Sequence, residues 1–253
     1  MTPQPEYLYK YRPFNAYALS CIANQSIWLA KPKSFNDPFD CAITLDRSLY
    51  KDSIIHAISV AMNTGVSTER KNEALFKLWP GDKEAFETFR NSIKELTQNM
   101  GICSFAESPD TLLLWSHYAD HHKGFCVEYS CKNNILSRLV QKVRYTDSVP
   151  KISAADFSGP NKHDVFDSLW LTKASCWSYE KEWRFMDKEG DKEVQAPAPI
   201  SAIIFGAKMP INDRVTIINI LNHDETVVFK EAVLADGAFK LELKSYYVRK
   251  NNT

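Results

Sequence analysis

The sequence predicts an α+β fold, with one domain spanning residues 1–253 and a mixed, mostly antiparallel central β-sheet. Two kinds of pattern lead to this class. Short segments in which apolar and polar residues alternate, such as "EYLYKYR", recur along the chain and are typical of strands. Segments with apolar residues three and four positions apart lie between them and are typical of helices. From about 52 to 99 the helical pattern predominates, which predicts a helical insertion into the domain.

The first part of the chain begins with the strand "EYLYKYR", which ends before Pro13. Asn15 follows, and its side chain can accept a hydrogen bond from an early backbone amide, so it predicts the cap of a helix at "AYALSCIAN". "SIWLAKP" is a second strand, which ends at Pro32. Three helical segments make up the insertion at 52–99: "IIHAISVAM", "EALFKLW" and "KEAFETFRNSIKELTQNM".

The remainder of the chain alternates strands with helices. "GICSF" predicts a strand, "SPDTLLLWSHYADHH" a short amphipathic helix and "FCVEYS" a buried strand. A strand at "KVRY" and a helix at "HDVFDSLWLTKAS" follow, before the aromatic strand "EKEWRFM". "SAIIFG" is rich in β-branched residues and predicts a core strand. A helix at "TIINILN" and two strands, "TVVFKEAVL" and "KLELKSYYV", complete the fold.

Composition argues against several classes of protein. The 31 basic and 31 acidic residues balance, so the chain as a whole has no field that would attract nucleic acid or an anionic membrane. No segment approaches the roughly 18 consecutive apolar residues of a membrane span. The N-terminus also lacks the pattern of a secretory signal. These features predict a cytoplasmic protein without a membrane partner.

The glycines and cysteines argue against two further kinds of site. With 8 glycines and no G-x-G-x-x-G or Walker motif, a glycine-rich phosphate loop is not expected. The 6 cysteines show no C-x-x-C spacing and are expected to be free thiols in a reducing compartment. No metal is expected.

The segment "CWSYEKEWRF" is the strongest candidate for a catalytic site. If it is one strand, Glu180, Glu182 and Arg184 point to the same face. A glutamate on a rigid strand can stabilise a cationic transition state or accept a proton, and Trp177 and Trp183 can exclude water around it. The alternative is a structural salt ladder between the glutamates and Arg184.

Two further segments offer groups that could bind a ligand. Arg12 ends the first strand and presents a planar fork suited to phosphate or carboxylate, although, taken alone, an ordinary arginine at the rim is the favoured interpretation. In "SFNDPFD", Asn36 and Asp37 are turn-forming residues. Asp37 and Asp40 could bind a cation or a ribose hydroxyl, but a structural loop that lines a pocket is the favoured interpretation.

The segment "LLLWSHYADHHKGF" carries a cluster of polar residues. His117 and His121 are four positions apart, as in some zinc sites, but Tyr118 stands where the H-E-x-x-H motif requires glutamate. The favoured interpretation is a polar wall in which Ser116, His117 and Tyr118 donate or accept hydrogen bonds near a ligand.

Several of these segments together resemble a known family. "LYKYRPF", "IWLAKPKSFNDPFDC", "ICSFAES", "LLLWSHYADHHKGFCVEY", "WSYEKEWRF" and "ISAIIFG" resemble a widespread bacterial family of unknown function, from about residue 7 to 206. In addition, the order of elements is similar to that of ADP-ribosyltransferase-like domains, especially the branch of toxins that modify DNA and RNA. This second resemblance implies a split central sheet and NAD as the substrate.

The resemblance to ADP-ribosyltransferases also implies roles for individual residues. Glu182 would hold the ribose hydroxyl and stabilise the oxocarbenium-like charge, and Glu180 would orient or deprotonate the acceptor. Trp177 would stack on nicotinamide. The catalytic group would also include His117, and the NAD-binding group consists of Arg12, Ser116, Tyr118, Trp177, Asn36 and Asp37.

The expected function is therefore transfer of ADP-ribose from NAD to a nucleic acid or protein acceptor, in a toxin or phage-defence effector. Two alternatives stay open. One is a metal-dependent hydrolase or nuclease that uses His117, His121 and Asp37. The other is a non-catalytic module that senses a ligand or binds a partner. In each case the insertion at 52–99 is the best candidate for contacts with a partner or a second copy.

Overall fold

The computed structural model describes residues 5–45, 82–132, 136–152 and 162–247. Tertiary contacts group the chain into two compact units. The first unit consists of residues 1–30, 101–143 and 178–253, and the second of residues 31–100 and 144–177. The single domain with an insertion at 52–99 stays a prediction, since most of that insertion lies outside the described residues.

Strands and helices are numbered in chain order. The strands are β1 (Tyr7–Arg12), β2 (Ser26–Leu29), β3 (Thr44–Leu45), β4 (Gly101–Ala106), β5 (Phe125–Ser130), β6 (Val140–Lys142), β7 (Arg144–Thr146), β8 (Lys151–Ile152), β9 (Thr172–Ala174), β10 (Glu182–Asp187), β11 (Lys192–Gln195), β12 (Ile200–Phe205), β13 (Val228–Leu234) and β14 (Leu241–Ser245). The α-helices are α1 (Ala16–Ala23), α2 (Asp82–Asn99), α3 (Leu112–Tyr118), α4 (Leu136–Leu139), α5 (Lys162–Trp170) and α6 (Ile211–Leu221). Within the described residues, 3₁₀ helices span Pro32–Ser34 and Ser175–Glu180.

An eight-stranded sheet forms the centre of the first unit, with strand order β14-β13-β12-β5-β1-β4-β10-β6. Its neighbouring strands are antiparallel except for β12 and β13, which are parallel. Helix α6 connects these two strands, as a parallel crossover requires. The prediction of an α+β fold with a mixed, mostly antiparallel central sheet is confirmed.

One face of this sheet packs on the main apolar core of the first unit. Leu8, Val127 and Ile203 occupy neighbouring strands on this face and are almost completely buried. Helices α1 and α6 contact each other and contribute apolar side chains to the same core. The cap predicted for α1 is confirmed, because the Asn15 side chain accepts a hydrogen bond from the Ala18 amide at 2.8 Å.

The sheet is weakly joined between β1 and β4. Among the described strands, β1 and β5 pair along six positions, whereas Tyr9 and Ala106 form the single register pair of β1 with β4. Further along β4, Ile102 pairs with Ala30, which follows β2, through two backbone hydrogen bonds of 2.9 and 3.0 Å. The two strands therefore diverge beyond Tyr9, so that the sheet opens on this side of the pair.

The second unit carries two short parallel strand pairs, β3 with β8 and β7 with β9. Its longest described helix is α2, which confirms the last predicted helix of the insertion and contacts the 3₁₀ helix Pro32–Ser34. The other two predicted helices of the insertion fall on residues 46–81, outside the described residues. None of the helices within the described ranges is long and apolar enough to cross a membrane.

The predicted strand "EKEWRFM" is partly wrong at its start. Strand β10 begins at Glu182, and Glu180 is instead the last residue of a 3₁₀ helix. Lys181 separates them with a φ of 43°, a left-handed conformation that breaks the alternation of side chains. Glu180 and Glu182 are thus presented by two different elements, and only Glu182 and Arg184 share a strand face.

Candidate functional site

A row of side chains crosses three neighbouring strands on the face opposite the main core. Tyr9 pairs with Ala106, and Ala106 pairs with Glu182. Directly paired residues of antiparallel strands point to the same face. Because neighbouring strands lie about 4.8 Å apart, the Cα atoms of Tyr9 and Glu182 are about 10 Å apart, with Ala106 between them. A small alanine, itself 6 % exposed, therefore separates the residue that carries the phenol from the residue that carries the carboxylate.

The carboxylate of Glu182 is held by Arg184. The Arg184 Nε atom donates to Glu182 Oε1 at 2.7 Å, and the two side chains are 0 % and 3 % exposed. They lie two positions apart on β10 and so point to the same face. A buried carboxylate with a hydrogen-bonded guanidinium is fixed in both position and charge.

Glu180 approaches the same region from the 3₁₀ helix. It is also buried, and its Oε1 atom accepts a hydrogen bond from the Tyr118 hydroxyl at 2.9 Å. Tyr118, Tyr9 and Tyr179 all pack against the apolar cluster that contains Ala106. Three tyrosines thus pack against the apolar cluster to which the alanine belongs.

Lys10 lies at the opening between β1 and β4. Its ammonium donates to the backbone carbonyl of Ser104 at 2.6 Å, in the region where β1 and β4 have parted. Burial lowers the pKa of Lys10, and the nearby guanidinium of Arg12 lowers it further. The carboxylates of Glu182 and Glu180 oppose that shift. Lys10 is thus close enough to these three charged side chains for its own pKa to respond to them.

Tyr9 has a second acidic neighbour in Glu128, its register partner on β5. Burial and the nearby Glu128 carboxylate raise the pKa of the Tyr9 phenol well above its ordinary value, so the hydroxyl stays protonated at neutral pH. Glu128 itself accepts hydrogen bonds from Ser201 at 2.9 Å and Lys230 at 2.8 Å.

The end of α3 is an unusual turn beside this site. Asp120, His121 and His122 all have positive φ values of 45°, 53° and 70°, which are uncommon outside glycine. The His122 ring stacks on Trp115 with centroids 6.2 Å apart, and its Nε2 atom lies 3.3 Å from Ser116 Oγ. Its buried Nδ1 atom has no hydrogen-bond partner among the described residues.

This environment predicts a pH-dependent stability. Burial, and then Lys208, lower the pKa of His122, whereas in the unfolded chain it is about 6.5. Neutral His122 contributes its full stabilisation above the pKa of the unfolded chain. As the pH falls from there towards the lower pKa of the folded protein, the unfolded chain binds the proton first, so that this stabilisation is lost. We expect the free energy of unfolding in urea to fall less between about pH 7 and 5 in His122→Asn than in the wild type.

The matched control is His121→Asn. His121 is exposed, and asparagine tolerates the positive φ at either position. This control should keep most of the wild-type pH dependence. Equal slopes for the wild type and His122→Asn would contradict the assignment.

The first unit contains most of the predicted site residues: Arg12, Ser116, His117, Tyr118, Glu180 and Glu182. The structure brings Tyr118 and Glu180 into contact. His117 is exposed, and the Ser116 hydroxyl donates to the Leu112 carbonyl of its own helix at 3.1 Å. Arg12 lies three positions from Tyr9 on β1 and therefore on the other face of that strand.

The second unit contains the remaining predicted residues, Asn36, Asp37 and Trp177. Trp177 donates its indole N–H to an Asp37 carboxylate oxygen at 2.7 Å, and the other oxygen accepts from the Phe39 amide at 2.8 Å. The Lys173 ammonium lies 5.2 Å from the centroid of the Trp177 ring. These contacts hold the loop "SFNDPFD" in place. The predicted stacking of Trp177 on nicotinamide is not tested by them and stays a prediction.

The sequence interpretation missed two residues of the site. Tyr9 lies in a strand described only by its alternation, although "YLYKY" does place alternate tyrosines on one face. Ala106 carries no chemical signal at all. Its importance comes from lying between Tyr9 and Glu182, which depends on the register of three strands.

Within the part of the chain that the structure describes, no group of three or more His, Cys, Asp or Glu side chains could hold a metal ion. His117 and His121 therefore have no third ligand there.

The fold and the site define an α+β protein with a mostly antiparallel sheet and with three buried glutamates, Glu128, Glu180 and Glu182, near the sheet face away from its main core. Comparison with known proteins shows that residues 114–185 match the family described as "Protein of unknown function (DUF2971)". The predicted resemblance to a family of unknown function is confirmed over this segment, which contains Tyr118, Glu180, Glu182 and Arg184. No curated protein and no solved structure gives a significant match.

Proposed function

We propose that the first unit is an ADP-ribosyltransferase-like enzyme that cleaves NAD beside Glu182 and transfers ADP-ribose to a macromolecule. The observation that carries this proposal is the row formed by Tyr9, Ala106 and Glu182. It combines a carboxylate held by Arg184, a small residue between that carboxylate and Tyr9, and tyrosines that pack against the apolar cluster of the same alanine. The resemblance seen in the order of elements leads to the same activity.

In this reaction the bond between ribose C1′ and the nicotinamide nitrogen breaks, and its electron pair leaves with nicotinamide. Positive charge develops on the ribose, and the carboxylate of Glu182 stabilises it. Such stabilisation is strong where water is excluded and the charged group is already oriented. Arg184 provides that orientation, since it holds Glu182 through a buried hydrogen bond of 2.7 Å.

The acceptor then forms the new bond to C1′ through an oxygen or nitrogen atom, and the proton that it loses passes to Glu180. Glu180 suits this role because it is buried beside Glu182 but lies on a separate element. The Tyr118 hydroxyl donates to one of its oxygens. Tyr118 thereby positions the carboxylate.

Binding of NAD requires groups for the rings and for the diphosphate. Tyr9, Tyr118 and Tyr179, which pack against the apolar cluster that contains Ala106, are proposed to offer aromatic surfaces to the rings. Arg12 lies three residues beyond Tyr9, about 10 Å along β1 at the rise of a strand, and its side chain points to the opposite face of that strand. A role of Arg12 in binding the diphosphate stays a prediction.

The cellular role follows from the reaction. An enzyme that consumes NAD and modifies a nucleic acid or protein would act in the cytoplasm, where NAD is available, as a toxin or phage-defence effector. The balance of 31 basic and 31 acidic residues favours neither class of acceptor.

The test is release of nicotinamide from NAD, measured by liquid chromatography with RNA, DNA or cell lysate as acceptor. Glu182→Gln should reduce the rate at least ~100-fold, because loss of one oriented electrostatic contact has an effect of this order. Glu242→Gln, an exposed change on the edge strand β14, should leave the rate unchanged.

Two outcomes would count against the proposal. Folded Glu182→Gln with the wild-type rate would remove Glu182 from the reaction. Binding of NAD by the wild type without any release of nicotinamide would instead favour the non-catalytic sensor.

A further inference from the structure

The second unit contains a cavity of about 820 Å³. It is lined by the 3₁₀ helix Pro32–Ser34, by the loop that follows as far as Leu45, and by one face of α2. This volume lies within the range of about 300–1,000 Å³ that is usual for small-molecule sites. The cavity belongs to a different unit from Glu182, and nothing in the proposed reaction uses it.

The charges around the cavity are mainly positive. Lys33, Arg90 and Lys94 line it, and Asp40 is the single acidic residue of its described lining. The negative charge of Asp40 is offset by Lys173, whose ammonium lies 3.5 Å away with both side chains buried. Arg90 and Lys94 therefore give the α2 side of the cavity a positive charge that favours an anion.

Arg90 and Lys94 present their charges together. They are four positions apart on α2 and share a face of the helix with Phe86, which also lines the cavity. Arg90 contacts Glu87, but these side chains are 55 % and 40 % exposed. Ion pairs in water are weak, so a phosphate group can compete with Glu87 for the guanidinium.

The rest of the lining suits a planar ring with polar edges. Phe35 and Phe86 provide aromatic surfaces, and Asn36 and Gln98 provide amide groups that both donate and accept hydrogen bonds. A mostly apolar lining with a few polar groups is the usual composition of a ligand site.

We infer that this cavity binds a phosphorylated ligand with a planar ring, of the size of a mononucleotide. The phosphate lies near Arg90 and Lys94, and the ring lies against Phe35 and Phe86. The sequence motif "SFNDPFD" contributes to ligand binding through the walls of this cavity, and its aspartates serve to hold those walls.

The experiment is isothermal titration calorimetry of the full chain with three probes: AMP, adenosine and inorganic pyrophosphate. AMP should bind at least ~10-fold more tightly than either of the others, since each lacks one of the two recognised groups. Lys94→Glu should weaken AMP binding at least ~10-fold, as expected when a charged hydrogen-bond partner is lost. Higher salt should weaken it as well.

Lys151→Glu is the matched control, because it makes the same charge change at an exposed lysine of the same unit outside the cavity. It should bind AMP like the wild type, as should Glu182→Gln, in which the proposed catalytic residue is changed. If Lys94→Glu does not fold, Arg90→Gln provides the same test. Absence of AMP binding at millimolar concentration, equal binding of pyrophosphate, or wild-type affinity in both cavity variants would overturn the inference.

Discussion

Arg184→Met should lower the free energy of unfolding by about 3–5 kcal/mol, the usual cost of removing one partner of a buried ion pair. Arg184 is completely buried and donates to Glu182 at 2.7 Å. Methionine fills much of the same volume but leaves the Glu182 carboxylate charged and away from water. Urea denaturation at pH 7 measures the change.

Two further variants separate the charge effect from the loss of packing. In the double variant Arg184→Met with Glu182→Leu no charge is left unpaired, so it should lose less stability than Arg184→Met alone. Arg90→Met removes the arginine of the exposed pair with Glu87 and should cost less than about 1 kcal/mol. If Arg184→Met lowers the free energy of unfolding by less than about 1 kcal/mol, the buried pair is not a structural requirement.

Local patterns were sufficient to predict most of the elements. The Asn15 cap, strand β5 and strand β12 lie where the sequence places them, because each depends on residues within about ten positions. The secondary structure of the segment "KVRY" is harder to predict from its sequence. The segment contains the end of β6 and the start of β7, which pair with different strands, β10 and β9. The choice of partner strand is not encoded in such a short pattern.

The candidate site shows the same limit more clearly. Alternation correctly placed Glu182 and Arg184 on one face, but it wrongly included Glu180, because the left-handed conformation of Lys181 cannot be read from its residue type. Burial of the pair was not predictable either, since charged residues on a strand usually face water. It results from the way that β10 pairs with β4.

The second large effect is expected at Ala106. In the proposed reaction the ribose lies above this alanine, between Tyr9 and Glu182. Ala106→Leu would fill that space and should reduce NAD cleavage by about 100-fold, since displacement of a substrate by 1 Å can have an effect of that size. Ala106→Ser adds only a hydroxyl and should keep most of the activity.

The stability of the two variants must be compared as well. Ala106 is 6 % exposed, and extra methylene groups in a packed site commonly cost about 1–3 kcal/mol. Thermal unfolding establishes whether Ala106→Leu is folded at the assay temperature. A loss of activity in a folded variant then reports on the space above Ala106.

The rate of nicotinamide release at saturating NAD, measured side by side for the wild type, Ala106→Ser and folded Ala106→Leu, is the most direct test of a catalytic site at this row. We predict release by the wild type and the serine variant and almost none by the leucine variant. A catalytic site at this row would be contradicted if Ala106→Leu released nicotinamide at the rate of the wild type, or if the wild type released none with any acceptor.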